Sequence, residues 1–132
     1  MITAQQRADL LAAACAIRPQ AYAPYSNYAV GAAILAGNSK TYTGVNVENA
    51  SYGLANCAER TAIFKMVTDG CHEILAVAVC TENAGSPCGA CRQVLVEFSA
   101  DIPVYLLDTQ GNVRDTTLHT LLPDHFGPEH LT

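Results

Sequence analysis

Ile74-Leu-Ala-Val-Ala-Val-Cys80, then Pro87-Cys-Gly-Ala-Cys-Arg-Gln-Val-Leu-Val-Glu-Phe98, then Pro103-Val-Tyr-Leu-Leu107 are the segments that decide the fold. The first is a short, nearly continuous apolar run, the pattern of a strand covered on both faces, and it is expected to lie centrally in a sheet. In the second, Pro87 marks a helix start, and Val94, Leu95 and Phe98 recur at helical spacing. The third predicts another strand. Strand, helix and strand in that order form a crossover, the unit of a layered α/β fold.

The segments on either side agree. Upstream, Ala58, Ala62, Ile63 and Met66 give residues 57–67 a helical stripe, with Gly70 as the stop signal. Residues 29–36 and 40–47 are apolar or β-branched runs parted by Gly37-Asn38-Ser39, which predicts a hairpin. Tyr22-Ala-Pro-Tyr-Ser-Asn-Tyr28 holds a proline and turn formers and predicts a loop despite its spaced tyrosines. Near the start, Thr3 and Gln6 make a capping box, and Leu10, Leu11, Ala14 and Ile17 line one helix face. Downstream, Asp108-Thr-Gln-Gly-Asn112 predicts a hairpin into a weak strand at 113–115, followed by a helical turn at 118–122. Residues 123–132, with two prolines, are expected to lie across the surface. The fold expected is one α/β domain over residues 1–132.

Composition narrows the function. Lys and Arg number 7 against 12 Asp and Glu in 132 residues, a net charge of −5, which disfavours a phosphate-tracking nucleic-acid binder. Charged residues are only 14% of the chain, so part of the surface is expected to be apolar and to meet another subunit. No apolar stretch reaches the roughly 18 residues of a membrane span, so no membrane partner is expected. Six unevenly spaced cysteines fit neither a disulfide scaffold nor an oxidising compartment, so the cytoplasm is the expected location. Cys15, Cys71 and Cys80 are expected to be small apolar filling.

Cys57 and the Cys88-Gly-Ala-Cys91 pair both fall where a loop enters a predicted helix, and helix N-termini stabilise thiolate. A lone C-x-x-C can be a redox pair, a turn or a metal site; the third cysteine favours metal. Three ligands leave a fourth position of zinc open, the pattern of a catalytic site, where bound water has its pKa lowered to about 7. Glu59 stands two residues beyond Cys57, within reach of such a water, although a Glu in a first helical turn also suits a solvated dipole-complementing role. Arg60 can draw off the negative charge of three thiolates or face solvent, and Gln93 can support the metal shell or do the same.

With these residues in view, the sequence resembles a known family. Cys57-Ala-Glu-Arg60 and Pro87-Cys-Gly-Ala-Cys-Arg-Gln93 are similar to the two zinc motifs of the nucleoside deaminases, with Cys in place of the His of H-x-E. Together with Tyr25-Ser-Asn-Tyr-Ala-Val-Gly-Ala-Ala33, Gly44-Val-Asn-Val-Glu-Asn-Ala-Ser-Tyr52 and Leu121-Leu-Pro-Asp-His-Phe-Gly127, they resemble the short, homotetrameric, zinc-dependent cytidine deaminases of the cytidine and deoxycytidylate deaminase superfamily. The likeness runs over nearly the whole chain.

The resemblance implies a three-layer α/β/α fold around a mixed sheet of about five strands, and one Zn2+ per subunit on Cys57, Cys88 and Cys91. It implies hydrolysis of cytidine and deoxycytidine to uridine, deoxyuridine and ammonia in pyrimidine salvage, with Glu59 carrying protons from water to N3 and the leaving amine. Asn46 and Glu48 match residues that grip the sugar hydroxyls, although as bare sequence they read as polar residues at a strand end. Tyr28 stands where the family commonly has Phe beside the substrate. The Ala58 N–H and the Ser86 carbonyl match groups that read the pyrimidine edge, and Tyr52 and Phe126 match residues that a neighbouring subunit contributes. The rival readings are a deaminase of another aminopyrimidine nucleoside, of the blasticidin-S type, a polynucleotide deaminase, and a structural zinc module closed by one of His72, His119, His125 or His130.

Overall fold

A computed structural model describes residues 1–132. The chain opens with α1 (Ala4–Ile17), then β1 (Gly31–Ala36), β2 (Thr41–Val45), α2 (Ala58–Thr68), β3 (Ile74–Cys80), α3 (Gly89–Glu97), β4 (Pro103–Leu107), β5 (Val113–Thr117) and a single turn, α4 (Leu118–Leu121). The sheet order is β2-β1-β3-β4-β5, so the apolar 74–80 run is the central strand, as expected. β3 and β4 are parallel across the α3 crossover and every other pairing is antiparallel, which makes the sheet mixed.

Strand alternation sorts the core into two layers. Ala33, Leu35, Ala76, Ala78 and Cys80 face α1, packing on Leu10 and Ala14. Ile34, Ala36, Val77, Val79, Val104 and Leu106 face the other way, against Ala62, Ile63 and Met66 of α2 and Leu95 and Val96 of α3. The expected α/β/α layering is thus present, and each fully buried Leu or Ile contributes about 1.5–3 kcal/mol. Cys15 and Cys80 meet between α1 and β3 with their sulfurs 2.7 Å apart. Burial, reinforced by Cys15, pushes the Cys80 thiol up to about 12, which keeps it a protonated packing group.

The helix ends follow local chemistry. Thr3 and Gln6 form the predicted capping box of α1. α2 ends in a Schellman motif in which Gly70, at φ +87°, donates to the Val67 carbonyl and Cys71 donates to that of Met66. The strands differ from expectation at their ends. β1 starts at Gly31 and not at 29, because the Val30 N–H donates to the Asn46 side chain at 2.9 Å and not to a neighbouring strand. β5 runs to Thr117, two residues past expectation, through β-branched Thr116 and Thr117 paired with Val104 and Pro103. The surface tail carries a 3-10 turn at Pro128–His130.

Two helices approach the sheet closely. A Cβ at Gly31 would lie 2.2 Å from the Ala14 carbonyl oxygen of α1, and one at Gly44 would lie 2.4 Å from the Ala58 oxygen and 2.6 Å from the Ala62 nitrogen of α2. Backbone cannot yield as a side-chain tip does, so Gly44→Ala should lift the start of α2 and destabilise the fold by about 1–3 kcal/mol. Gly53→Ala, where an added Cβ meets nothing within 4 Å, should stay within about 0.5 kcal/mol of wild type. Urea denaturation midpoints of the two variants check the contrast.

Candidate active site

The site lies where the first turns of α2 and α3 meet beyond the carboxyl end of β3. Cys57 is the N-cap residue of α2 and Cys88 that of α3, where the Cys88 sulfur accepts from the Cys91 N–H at 3.4 Å. The two loop-to-helix positions expected from the sequence are therefore real, and helix N-termini direct unpaired N–H groups and positive partial charge at the sulfurs.

All three sulfurs lie within 4.8 Å of one another, with Cys57 and Cys88 at 3.8 Å and Cys88 and Cys91 at 3.4 Å. Tetrahedral zinc with Zn–S bonds of about 2.3 Å sets its sulfurs about 3.8 Å apart, so the spacing fits that ion. None of His72, His119, His125 or His130 joins the cluster, which keeps three protein ligands and an open fourth position. The charge around it fits as well. Arg60 Nη2 donates to the Cys57 sulfur at 3.3 Å, and its Nε is buried without a hydrogen-bond partner, a cost that adjacent thiolate charge offsets. The Cys91 contact and Arg60 pull the Cys57 thiol down to about 5, while the same contact and burial push Cys91 up.

Glu59 is 4% exposed, and burial pushes its carboxyl up to about 7, with the charge of Cys57 adding to the effect. It is not the solvated first-turn residue that the sequence alone allows. Glu59 opens on a cavity of about 420 Å3 lined also by Tyr28, Asn46, Glu48, Ala58, Ser86, Cys57, Cys88 and Arg60. Of the substrate residues expected from the sequence, Tyr52 and Phe126 lie outside that cavity. Tyr52 stands over an adjoining hollow with Tyr25, ring centroids 6.0 Å apart, and Phe126 lies beside Gln93; the two side chains are 76% and 57% exposed. Gln93 Nε2 donates to the Phe126 carbonyl at 2.7 Å, so its amide anchors the tail to α3.

Asn46 and Glu48 brace the cavity wall. Asn46 accepts from the Val30 N–H and donates to the Tyr28 carbonyl at 2.8 Å. The Glu48 carboxylate accepts from the N–H groups of Tyr25 and Ser26 at 3.0 and 3.1 Å and from the Ser26 hydroxyl, which holds it below the usual carboxylate range. Two further residues escape the sequence reading. Arg92 reaches the carbonyls of Pro87 and Leu121 and the Ser86 hydroxyl at 2.8, 2.6 and 2.9 Å, fixing the loop that enters α3. Thr61 bonds the Asn56 side chain and donates to the Val45 carbonyl at 3.1 Å, fixing the approach to Cys57. Arg92 sits within the motif quoted for the family, so its position was visible; its three partners were not.

Three sulfurs at zinc-compatible spacing, an adjacent buried carboxyl and a nucleoside-sized cavity define a zinc-dependent hydrolase site. The model for the cytidine and deoxycytidylate deaminase zinc-binding region matches residues 4–107, and the chain belongs to that family. It is 48% identical over 126 residues to the cytidine deaminase of Sporosarcina psychrophila, covering 93% of each sequence. It is 46% identical over 128 residues to that of Halalkalibacterium halodurans, covering 95% of this chain and 97% of the relative. The crystal structure of cytidine deaminase from Burkholderia pseudomallei superposes with a TM-score of 0.86 at 48% identity, over 95% of this chain and 100% of that one.

Cys88→Ala should lose almost all bound zinc, read by elemental analysis of the purified chain. Arg60→Gln should keep one zinc per chain but weaken its affinity about 10–100-fold, read by competition with a chromogenic chelator.

Proposed function

We propose that the chain catalyses the hydrolytic deamination of cytidine and deoxycytidine to uridine and deoxyuridine with release of ammonia. The observation that carries this reading is the nearly sealed Glu59 carboxyl in one cavity with Cys57 and Cys88 of the three-sulfur cluster. Zinc held by Cys57, Cys88 and Cys91 supplies, when bound, a Lewis acid and a water acidified to near neutrality. Glu59 takes one proton from the attacking water and delivers it to N3, then takes the remaining proton of that oxygen once it is bonded to C4 and delivers it to the leaving amine. A C4–O bond forms, the C4–N4 bond breaks, and the amine leaves as ammonia. The Ala58 N–H, unpaired as a first-turn group of α2, and the Ser86 carbonyl hold the pyrimidine edge. Asn46 and Glu48 hold the sugar, and the Tyr28 ring forms a side wall.

Residues 1–132 act as one catalytic domain in this reading, assembled as a homotetramer. Tyr52 and Phe126 lie outside their own chain's cavity, and Tyr22, Leu54 and Leu131 add further exposed apolar surface, which supports delivery of the two aromatic rings to a neighbouring site. No helix is long and apolar enough to cross a membrane. The proposed setting is the cytoplasm, in pyrimidine salvage, without nucleic acid or membrane as a partner.

Zinc-loaded protein should release ammonia from cytidine and from deoxycytidine, followed by the accompanying ultraviolet change. Glu59→Gln should retain fold and zinc while kcat drops by at least about 10²–10⁴-fold; activity retained in that variant overturns the role. Light scattering on a sizing column should give the mass of four chains, and Tyr52→Ala together with Phe126→Ala should raise KM.

A further inference from the structure

Loop 81–88 carries Ser86 and Cys88 into the site, and one of its residues is held in a disfavoured conformation. Ala84 has φ +57°, a left-handed geometry in which a Cβ crowds the backbone. Such a conformation persists where surrounding bonds fix it. Here the Gly85 N–H donates to Thr81 Oγ1 at 2.7 Å, and Asn83 Oδ1 accepts from the Tyr28 hydroxyl at 2.6 Å. Tyr28 belongs to the opposite wall. Its N–H donates to Ser26 Oγ at 3.0 Å, Ser26 in turn donates to Glu48, and its carbonyl accepts from Asn46. A hydrogen-bonded chain therefore runs from Glu48 and Asn46 through Tyr28 to the loop that presents Ser86.

Gly85 supplies an independent sign of this contact. Its φ is not in the positive region, so the backbone does not demand glycine there. A Cβ at that position would stand 2.5 Å from the Tyr28 hydroxyl oxygen, while its other near neighbours, Asn83 Oδ1 and Thr81 Oγ1, would be at an ordinary 3.6 Å. The hydroxyl alone excludes a side chain at 85, because moving aside would break its bond to Asn83.

We propose that the Tyr28 hydroxyl and Asn83 are positioning groups of the deamination site, a latch that ties the pyrimidine-reading loop to the sugar-holding wall and sets the distance between them. The inference rests on the deaminase reading above. Losing the latch loosens the ground-state grip on the nucleoside and leaves the zinc ligands and Glu59 in place, so it acts on KM ahead of kcat.

The test uses the full-length, zinc-loaded chain as wild type, Tyr28→Phe, Asn83→Ala, Gly85→Ala and the double variant Tyr28→Phe with Gly85→Ala. Each single change should raise KM for cytidine about 3–10-fold, with kcat within about twofold and one zinc per chain. The double variant should match Tyr28→Phe, because a phenylalanine has no oxygen for the new methyl group to strike. Unchanged KM in the single variants, or effects of Gly85→Ala and Tyr28→Phe that multiply, overturns the latch. So does a collapse of kcat and zinc content together, which would mark these residues as general supports of the fold. Failure of the deaminase reading shows separately, as no conversion by zinc-loaded wild type. Urea denaturation of the same variants then decides the latch without substrate, with non-additive losses supporting it and additive losses overturning it.

Discussion

Three thiolates within reach of one ion repel one another, and that repulsion must be answered by positive charge aimed at the same point. The chain answers it with two helix N-termini and one guanidinium, since Cys57 and Cys88 are the N-cap residues of α2 and α3 and Arg60 bonds the Cys57 sulfur. The rest of the topology follows from bringing those two helix starts together. α2 and α3 share one face of the sheet, and α3 begins from the loop that leaves the central strand, so both first turns meet beyond its carboxyl end. Open α/β sheets bind ligands at such an edge for the same reason.

How near α2 stands to the sheet is fixed by the absence of a side chain. Gly44 lets the Ala58 and Ala62 backbone settle almost onto β2, and Ala58 lies between Cys57 and Glu59. The glycine therefore sets the depth of the metal ligand and of the proton carrier together. On the opposite face Ala33, Ala76 and Ala78 with Gly31 do the same for α1, which takes no part in the site and closes the second core layer. Deep seating also accounts for the state of Glu59: placed under the first turn of α2 and shielded from water, its carboxyl meets more cost in ionising than an exposed one.

Regular elements were legible in the sequence because periodicity reports which face is buried. The central position of β3, the capping box of α1, the stop at Gly70 and the two cysteine N-caps were all readable from local pattern. The segments between elements were not, because their conformation depends on side chains far away in sequence. The start of β1 depends on Asn46 accepting from Val30, and the 25–26 turn depends on Glu48. Arg92 spans from Pro87 to Leu121, a contact that no local window contains. Family resemblance pointed to Asn46 and Glu48 as substrate groups; geometry shows them also holding up the wall in which they stand.

Holding up the wall limits what each group has left to offer. A backbone that leaves regular structure beside a cavity must have its polar groups satisfied by side chains, or the wall is unstable. An amide oxygen has two lone pairs, and Asn46 gives one to Val30; a carboxylate has about four acceptor sites, and Glu48 uses three on Tyr25 and Ser26. What remains is about one acceptor on each, together with the second N–H of the Asn46 amide, whose first goes to the Tyr28 carbonyl. Free acceptors and one free donor on the same wall suit hydroxyl groups, which both donate and accept. The same bonds that make the wall rigid thus also decide which of its polar groups stay free to face the cavity.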